Sequence, residues 1–550
     1  MITIRANNGS DHTFAEPPTV EEALSVFFPS KRVFGALRGG KVLSLNERLT
    51  EDCTLRPLTY QEDEGRRIYE RTLRFVFLVA MNRLYPGREA RFLNSVGYAQ
   101  FVSLTEGAMP HGMAAAIEGE MRSLIRQNMP IRQRVYTVAE MEAYYQKAGR
   151  EESARLLRHR EGDTVTVCCA EDLRLEMGGV MLPSAGYIHA FDILPHMPGL
   201  MLMMPSPGQP EKPAAYTSHQ KFLRNFTLSR QWCDILGVRT AADVNDLIGN
   251  GEYRDFIRVN EALHSQQLSN IAEEIVLRQA RIVMIFGPSS SGKTTSANRL
   301  CVHLRLFGKK PHLISLDNFY RSRARIPRGE DGEPDFECIE ALDTDLLMNT
   351  LEGLLIGEEM AIPEYDFTTG ESRPGAVKLR LGPEDMLVLE GIHGMNDILQ
   401  RQIPEQLSYG VFVSALPCIN LDNHRRIRTT DVRLIRRIVR DSRYRGTPAR
   451  ETIAMWPKVR AGEEKWIFPN QEKADAIFNT SLHYEIPFLK KLSWDVLRAI
   501  PGEAPEYAVA QRLLTLMEPF LLPGEDAIHE VPPLSILREF IGDCTFYDKH

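Results

Sequence analysis

The chain has 550 residues, of which 43% are hydrophobic and 25% are charged, and its formal net charge is −7. This length exceeds what one hydrophobic core organises, so about three or four domains are predicted. The net negative charge argues against a surface that coats nucleic acid. The sequence contains no signal peptide and no apolar run long enough for a transmembrane helix, so a cytoplasmic protein without a membrane partner is expected. It also contains no Cys-x-x-Cys pair, and its cysteines are expected to be reduced thiols.

The front half of the chain predicts two small domains and a connector. Residues 1–60 alternate β-type runs with turns around one helical run, TVEEALSVFF, and predict a mixed sheet-and-helix domain. Residues 61–210 begin with long helical runs, continue into β-type runs such as TVTVCC, and predict an α+β domain. A proline-rich patch at 195–213 indicates a boundary, and residues 211–278 predict a helical connector.

The C-terminal half has the pattern of an α/β fold. Between residues 279 and 500 five strand-like runs alternate with helical runs, which predicts a parallel sheet with crossover helices. These runs are RIVMIFG, HLISL, MLVLEG, YGVFVSA and ADAIFNT. Residues 501–550 predict a helical tail that packs back on the body.

The first of these strands runs into a glycine-rich loop, GPSSSGKT, after which a helix is predicted to begin near Lys293. In such a P-loop the glycines bring backbone N–H groups against phosphate oxygens, the lysine reaches the β- and γ-phosphates, and the threonine faces Mg²⁺. The dipole of the following helix adds to the anion site. The predicted triphosphate site consists of Gly287, Pro288, Ser289, Ser290, Ser291, Gly292, Lys293, Thr294 and Thr295.

Two carboxylates follow other strands of the predicted sheet. Asp317 comes at the carboxyl edge after the second strand, where it can accept the proton of an attacking hydroxyl; the alternative is that it caps a turn. Glu390 ends an apolar strand, as expected of a residue that holds Mg²⁺ directly or through water. We expect Thr294, Asp317 and Glu390 to converge on one metal–phosphate unit from neighbouring strand ends.

An arginine-rich helix is predicted over residues 431–446. Four guanidinium groups fall on its overlapping faces, so that several of them can point at the same phosphates: Arg433, Arg436, Arg437 and Arg440. Four apolar residues are predicted to anchor the helix in a core: Leu434, Ile435, Ile438 and Val439. A solvated basic helix or a nucleic-acid patch is the alternative. Charge compensation of a transferring phosphoryl group is the favoured interpretation.

Residues 281–485 resemble the uridine/cytidine kinase family, which is related to phosphoribulokinase. Four motifs carry the resemblance: S-x-D-x-F-Y, Y-D-F, E-G-I and R-R-x-x-R-D-x-x-x-R-G. They are met by Ser315, Asp317, Phe319 and Tyr320; by Tyr365, Asp366 and Phe367; by Glu390, Gly391 and Ile392; and by Arg436, Arg437, Arg440, Asp441, Arg445 and Gly446.

The resemblance implies a donor, a metal and roles for the site residues. ATP and Mg²⁺ are the implied cofactors, with Asp317 as the base toward a ribose 5′-hydroxyl and Glu390 as the magnesium carboxylate. Arg437 is implied at the ribose hydroxyls, and Arg440 and Arg445 at the ATP phosphates. Aromatic residues are implied to line the nucleoside pocket: Tyr320, Phe336, Tyr365 and Phe367.

The chain departs from the family at the acceptor side. Glu337 stands where the family has the aspartate that grips the ribose diol, and the histidine that follows the Y-D-F motif in the family has no counterpart here. These departures leave the nucleobase open. Trp456 and Trp466 lie in a segment that matches the family's lid only loosely, where they either cover the substrate or pack the lid.

The front half resembles the start of threonyl-tRNA synthetases. Residues 1–60 are similar to the TGS domain, a ubiquitin-like (β-grasp) module, and residues 61–200 to the editing-type domain that follows it. The family's metal-ligating histidines align with Arg74 and Leu78, and its D-L-C-R-G-P-H motif aligns with residues 172–178, where those ligands are replaced. Hydrolytic editing is therefore not expected, and a binding or regulatory role is implied.

Three functions are weighed. The leading one is an ATP- and Mg²⁺-dependent kinase for the 5′-hydroxyl of a nucleoside, with Asp317, Lys293, Arg440 and Arg445 as the catalytic residues. A kinase for another hydroxyl acceptor, such as a sugar phosphate, is the first alternative. The second is an ATP-controlled switch that contacts RNA or the ribosome through its front half. A homo-oligomer is left open.

Overall fold

The structure, a computed structural model, describes residues 1–160, 162–329, 332–366, 369–373, 375 and 377–546. Within them the chain forms a front half of sheets and helices, a helical connector and an α/β C-terminal half. None of the helices in these ranges is long and apolar enough to cross a membrane.

The first sheet contains five strands: β1 (Ile2–Ala6), β2 (Asp11–Phe14), β3 (Gly35–Arg38), β4 (Lys41–Leu43) and β5 (Cys53–Leu58). Their order is β2-β1-β5-β3-β4, and β1 runs parallel to β5. Alternate residues of β1 are buried because successive side chains of a strand point to opposite faces. Helix α1 (Val20–Phe27) covers the buried face and begins with a capping box between Thr19 and Glu22.

The second part of the front half is built around helix α2 (Asp63–Leu84), which is buried on all sides between Leu73 and Met81. Its strands are β6 (Ala90–Val96), β7 (Ala99–Leu104), β8 (Arg132–Thr137), β9 (Thr164–Ala170), β10 (Leu173–Leu175), β11 (Asp192–His196), β12 (Gly199–Met203), β13 (Pro205–Ser206) and β14 (Gln209–Pro213). Its other helices are α3 (Met113–Arg126), α4 (Val138–Lys147) and α5 (Glu151–Leu157).

These strands form a four-stranded sheet of order β11-β12-β7-β6, a three-stranded sheet of order β10-β9-β8 and the hairpin β13-β14. The proline-rich patch at 195–213, predicted as a boundary, thus lies within strands. One apolar core runs through the whole front half, from Ile4 of the first sheet to Leu202 of β12.

The connector consists of α6 (Gln220–Leu236), α7 (Ala241–Gly249) and α8 (Tyr253–Leu277). The amide of Asn225 on α6 donates to the Ile477 carbonyl at 3.0 Å, and His264 on α8 is hydrogen-bonded to the Ser481 carbonyl at 3.1 Å. The connector is therefore packed on the C-terminal half and is not an exposed linker.

The C-terminal half contains nine strands: β15 (Ile282–Phe286), β16 (Lys310–Ser315), β17 (Met360–Ala361), β18 (Glu364–Asp366), β19 (Glu371–Arg373), β20 (Lys378–Leu379), β21 (Asp385–Gly391), β22 (Ser408–Ser414) and β23 (Ala476–Asn479) among the described residues. Its helices in that part of the chain are α9 (Lys293–Leu306), α10 (Thr344–Leu355), α11 (Asp397–Gln400), α12 (Thr429–Tyr444), α13 (Ala449–Gly462) and α14 (Glu485–Arg498).

The central sheet has the order β16-β21-β15-β22-β23, and all of its neighbouring strands are parallel. The predicted parallel sheet is thereby confirmed, with each predicted strand-like run contributing one strand. Residues of β15 point alternately into two cores, one containing Met284 and the other Ile285. Because the strands are parallel, their carboxyl ends meet at one edge.

The last part of the chain returns to the sheet and also contacts the front half. Helix α15 (Tyr507–Met517) packs beside α14, and α16 (Arg538–Ile541) brings Phe540 into the core below β15. A Cβ atom on Gly40, in the turn between β3 and β4, would lie 2.1 Å from the Ala504 carbonyl oxygen. The tail is therefore an integral part of the fold.

A buried ion-pair cluster joins the three parts of the chain. Asp431, in the first turn of α12, pairs with Arg67 of α2 at 3.1 Å and with Arg512 of α15 at 3.4 Å. The Arg67 and Asp431 side chains are only 7% and 5% exposed, so their charges are compensated by one another and by the further ion pairs Arg67–Asp63 and Arg512–Asp431. Helix α12 is thus held to the front half and to the tail at its N-terminal end.

We predict that Asp431→Ala destabilises the protein by up to about 3–5 kcal/mol, because it removes the buried carboxylate shared by Arg67 and Arg512 and leaves them only Asp63 and Glu64 as partners. The free energy of unfolding from denaturant titration measures this. The control is Asp397→Ala, which removes an exposed ion pair to Lys473 and should cost less than about 1 kcal/mol. Equal losses in the two variants would contradict the role of the cluster.

Candidate functional site

The loop between β15 and α9 requires its two glycines. A Cβ atom on Gly287 would lie 2.0 Å from the Val413 carbonyl oxygen of β22. Gly292 has a φ of +84°, and a Cβ atom there would lie 2.6 Å from Cγ2 of Ile536. The loop is thus pressed between a neighbouring strand and the tail, and α9 begins at Lys293 as the sequence predicts.

The polar groups of this loop fit an anionic ligand. The hydroxyls of Ser290 and Ser291 are buried and have no hydrogen-bond partner among the described residues. Lys293 donates through Nζ to the Pro288 carbonyl at 3.2 Å, so its ammonium group lies across the loop. Thr294 and Thr295 belong to the first turn of α9, whose free N–H groups attract anions. Phosphate oxygens would satisfy these donors.

The two predicted carboxylates lie beside this loop. Glu390 of β21 is paired in register with Ile285 of β15 and with Ser315 of β16, so the three strand ends are adjacent. The Ser315 hydroxyl donates to Glu390 Oε1 at 3.0 Å and accepts from the Asp317 N–H at 3.3 Å. One serine therefore connects both carboxylate residues at the edge of the sheet.

The pKa values of both carboxyl groups are raised. Burial, and then the negative charge of Asp317, raise the pKa of Glu390 to about 7. Removal from bulk water also raises the pKa of Asp317, while the positive charges of Lys293 and Arg445 act in the opposite direction. Lys293 acts to lower the pKa of both carboxyl groups. Acids with pKa values perturbed in this way are typical of functional sites.

Three arginines of α12 and its C-terminal cap surround one buried carboxylate. Asp441, whose side chain is 3% exposed, accepts from Arg437 Nε at 3.2 Å and from Arg440 Nε at 2.9 Å, and Arg445 Nε lies 3.7 Å away. Arg437 also donates to the Ser289 hydroxyl at 3.0 Å, which places the Arg437 guanidinium at the phosphate loop. These three cations are oriented by a common partner.

Arg433 and Arg436, expected among the phosphate-facing arginines, have a different role. Both side chains are fully buried. Arg433 forms a two-point ion pair with Glu463, and Arg436 pairs with Glu485 at 2.6 Å. The sequence does not separate these two from Arg437 and Arg440, because helical spacing shows which arginines share a face but not which of them meets a buried carboxylate. The four apolar residues predicted to anchor the helix are buried, as expected.

The acceptor side contains an aromatic cluster. The Tyr320 ring centroid lies 5.4 Å from that of Phe336 and 5.6 Å from that of Tyr365, in edge-to-face arrangements. The Tyr320 hydroxyl donates to the Phe336 carbonyl at 3.0 Å. Phe367, the fourth predicted aromatic, lies outside the described residues. The cluster forms an apolar wall near Asp317, three residues before Tyr320.

Glu337 lies next to this wall and against helix α13. A Cβ atom on Gly462 would approach the Glu337 Cβ to 2.7 Å. Burial, and then the negative charge of Glu463, raise the pKa of Glu337 to about 7, whereas Arg437 and Lys293 act to lower it. The structure thus brings Glu337 into the electrostatic neighbourhood of the phosphate loop.

Sequence reasoning missed three carboxylates that shape the site. Glu463, in a π-helical turn after α13, accepts from the Ser289 N–H at 2.9 Å and from Arg460 at 2.6 Å. Glu485 holds Arg436, and Glu539 accepts from the Thr295 hydroxyl at 2.7 Å. The acidic pair after Gly462 is the one signal that points to Glu463; nothing in the local sequence indicates the other two.

The two tryptophans of the lid segment differ in environment. Trp456 is 8% exposed, and its ring centroid lies 5.3 Å from Cζ of the Arg433 guanidinium above it. Trp456 therefore packs the interior of the segment. Trp466 is partly buried, with its ring 6.3 Å from that of His393.

Comparison with known proteins locates a family within this chain. Residues 282–486 match the profile of the Phosphoribulokinase / Uridine kinase family. The C-terminal half thus carries a P-loop kinase domain of this family, which covers the phosphate loop, both carboxylates and α12. The front half and the tail lie outside the match.

The chain is also similar to individual proteins. Uridine kinase-like protein 4 of Arabidopsis thaliana is 30% identical over 207 residues, which cover 38% of this chain and 40% of that protein. The uridine kinase of Staphylococcus epidermidis is 27% identical over 202 residues, or 36% of this chain and 88% of that enzyme. A solved structure described as "a Possible Uridine Kinase from Bacillus stearothermophilus" has 19% identity and a TM-score of 0.26, and covers 42% of this chain and 100% of that one.

We predict that Gly292→Ala abolishes tight nucleotide binding and destabilises the fold by more than the roughly 1–2 kcal/mol expected for placing alanine at a positive φ. Fluorescence titration with a nucleotide and thermal unfolding measure the two effects. Gly308→Ala is the matched control, since Gly308 has a φ of +77° but no atom within 4 Å of an added Cβ. If both variants behave alike, the contact with Ile536 is unimportant.

Proposed function

We propose that this protein transfers the γ-phosphoryl group of ATP to the 5′-hydroxyl of a nucleoside, with Mg²⁺ as cofactor. One observation carries the proposal: the phosphate loop, two carboxylates with raised pKa values and an oriented arginine cluster meet at the carboxyl edge of one parallel sheet. The family match of the same residues supports phosphoryl transfer. The names of the relatives favour a nucleoside acceptor.

The donor half of the proposed site is the P-loop, from Gly287 to Thr295. Its backbone N–H groups and the hydroxyls of Ser290 and Ser291 bind phosphate oxygens, and Lys293 neutralises the terminal phosphates. Thr294 and Glu390 would hold Mg²⁺, with Asp317 close by. When bound there, the ion would reduce the charge of the phosphates.

Asp317 is the proposed base. Its raised pKa makes the carboxylate a better proton acceptor than a solvated aspartate, while Lys293 and Arg445 keep the charged form accessible. It accepts the proton of the attacking hydroxyl or orients that hydroxyl toward the γ-phosphorus. The shared serine, Ser315, holds this residue in register with Glu390.

Lys293, Arg440 and Arg445 compensate the charge of the transferring group. Donors that are oriented before the reaction need no reorganisation during it, which is why they stabilise a transition state more than flexible ones. Asp441 supplies this orientation for the arginines. Arg445 is 59% exposed, so it can reach a ligand from the mouth of the site.

The proposed acceptor half consists of Glu337, Arg437 and the aromatic cluster. Glu337 accepts hydrogen bonds from the ribose diol in its ionised form, and Arg437 donates to the same hydroxyls. The rings of Tyr320, Phe336 and Tyr365 provide an apolar wall for the base. Because these groups recognise a ribose more directly than a nucleobase, we propose a nucleoside and leave the base open. A sugar phosphate is the alternative acceptor.

For the front half we propose ligand binding with control of the kinase, in keeping with its resemblance to the TGS and editing-type domains. A cavity of about 520 Å³ between the first sheet and hairpin β13-β14 is lined by three cations, Lys31, Arg32 and Arg56, and by two carboxylates, Glu62 and Glu211. Glu211 pairs with Arg32, so Lys31 and Arg56 would be the contacts for an anionic partner such as RNA. The Arg67–Asp431 pair connects this half to α12, which carries Arg437 and Arg440.

The test is an acceptor panel. Purified full-length protein is incubated with [γ-³²P]ATP, Mg²⁺ and nucleosides, sugars or sugar phosphates, and labelled products are separated. A 5′-phosphorylated nucleoside is the expected product. If only a sugar phosphate is labelled, the acceptor is a sugar phosphate and not a nucleoside. If ATP is hydrolysed only when RNA is present, the protein is an ATP-controlled switch and not a nucleoside kinase.

We predict that Asp317→Asn lowers the rate of transfer by at least about 10²-fold in this panel, since the amide does not accept the proton. Calorimetric titration with ATP should show nearly unchanged binding. Asp343→Asn is the matched control because Asp343 caps α10 through its side chain and asparagine caps equally well. Unchanged turnover in the Asp317 variant would remove Asp317 from the role of base.

The pKa of about 7 at Glu337 predicts a pH-dependent KM for the acceptor. As the pH falls from 8 to 6 the carboxylate becomes protonated and no longer accepts hydrogen bonds from both ribose hydroxyls. The KM for the acceptor should therefore rise about tenfold. In Glu337→Gln the KM should be high and nearly constant over this range. Initial rates at several acceptor concentrations give both values. An equally steep profile in the Gln variant would assign the titration to another group.

A further inference from the structure

The C-terminal segment, residues 531–542, lies directly against the phosphate loop although it is outside the matched kinase domain, residues 282–486. Ile536 blocks any side chain at position 292, and Phe540 lies under the Arg436 guanidinium at 5.0 Å. Both apolar side chains are fully buried. The wall of the nucleotide site on this side is therefore made by the tail.

A carboxylate of this segment reaches the loop. The Thr295 hydroxyl donates to Glu539 Oε2 at 2.7 Å, and Thr295 is completely buried. Thr295 lies in the first turn of α9, where the N–H groups and the helix dipole favour an anion. Glu539 thus sits where a phosphate oxygen would find both a hydroxyl donor and a favourable potential.

The segment holds Glu539 in place through several contacts. Arg538 donates through one nitrogen to the carbonyls of Ile528 and Val531, each at 2.7 Å, and the hydroxyls of Ser535 and Tyr484 are hydrogen-bonded at 3.1 Å. The contact with Thr295 is therefore part of a docked structure and not a chance meeting of two surface groups.

We propose that Glu539 competes with a nucleotide phosphate for the Thr295 hydroxyl, so that this carboxylate lowers the affinity for ATP and is displaced from Thr295 when the nucleotide binds. The hydroxyl has one proton, which it donates either to the carboxylate or to a phosphate oxygen. Two anions at one donor also repel each other. This inference rests on the ATP binding of the proposed function, but not on the identity of the acceptor.

A purely structural role for Glu539 predicts the opposite sign. If the carboxylate only supported the loop, its removal would loosen the phosphate site and weaken nucleotide binding. Competition predicts tighter binding when the charge is removed. The direction of the change in affinity therefore separates the two roles.

The test uses calorimetric titration of the full-length protein with adenosine 5′-(β,γ-imido)triphosphate and Mg²⁺. Glu539→Gln should bind roughly three- to tenfold more tightly than the unaltered chain, and the difference should shrink at high salt as the charge is screened. Asp543→Asn is the matched control: it removes a charge from the same stretch of chain, but its side chain is 87% exposed and should leave the affinity unchanged. Unchanged or weaker binding by Glu539→Gln overturns the proposal.

A coupled variant tests the hydroxyl itself. In a Thr295→Val background the gain from Glu539→Gln should largely disappear, because the donor for which the two anions compete is gone. A full gain in that background would overturn the competition at Thr295.

A measurement on the unaltered protein guards against a variant that does not fold. Hydrogen exchange of the amides in residues 535–541 should become faster when the nucleotide analogue saturates the site; slower or unchanged exchange contradicts displacement. If the unaltered chain does not bind the analogue at all, the proposed function fails together with this inference. Binding without a gain in Glu539→Gln overturns the inference alone.

Discussion

The pairing of charges buried along helix α12 is the constraint on which the rest of the structure depends. Four charges along this helix are almost fully shielded from water, and three of them have their partner on a different element. Asp431 meets the front half and the tail, Arg433 meets Glu463, Arg436 meets Glu485, and Asp441 meets the helix's own arginines. Since an unpaired buried charge is very costly, these partners must all dock together.

This constraint divides one arginine-rich sequence into structural and functional groups. Arg433 and Arg436 are fully enclosed, and their carboxylates neutralise them, so they position the helix against the phosphate loop and the tail. Arg437, Arg440 and Arg445 share a single carboxylate, which leaves the cluster with excess positive charge. The same ion pairs that fix the helix thereby leave a net field at the phosphate site.

How far the sequence predicts this site depends on how local the information is. The P-loop, the strands and the carboxylates at their ends follow from short patterns, because glycines, apolar runs and strand ends have local causes. The partners of α12 do not, since Glu463 and Glu485 lie 30 and 49 positions away and their pairing depends on how helices pack. Glu539, 244 positions from Thr295, is further still from any local pattern.

The surroundings of the phosphate loop consequently extend beyond the family domain. Residues 282–486 supply the loop, both carboxylates and α12, but Ile536 closes the loop at Gly292 and Phe540 covers Arg436 from the tail. Arg67 of the front half compensates the charge at the other end of α12. A fragment restricted to the matched residues would expose apolar surface below the loop and leave Asp431 without both guanidinium partners. The parts outside the match therefore help to fix the geometry of the loop and of α12.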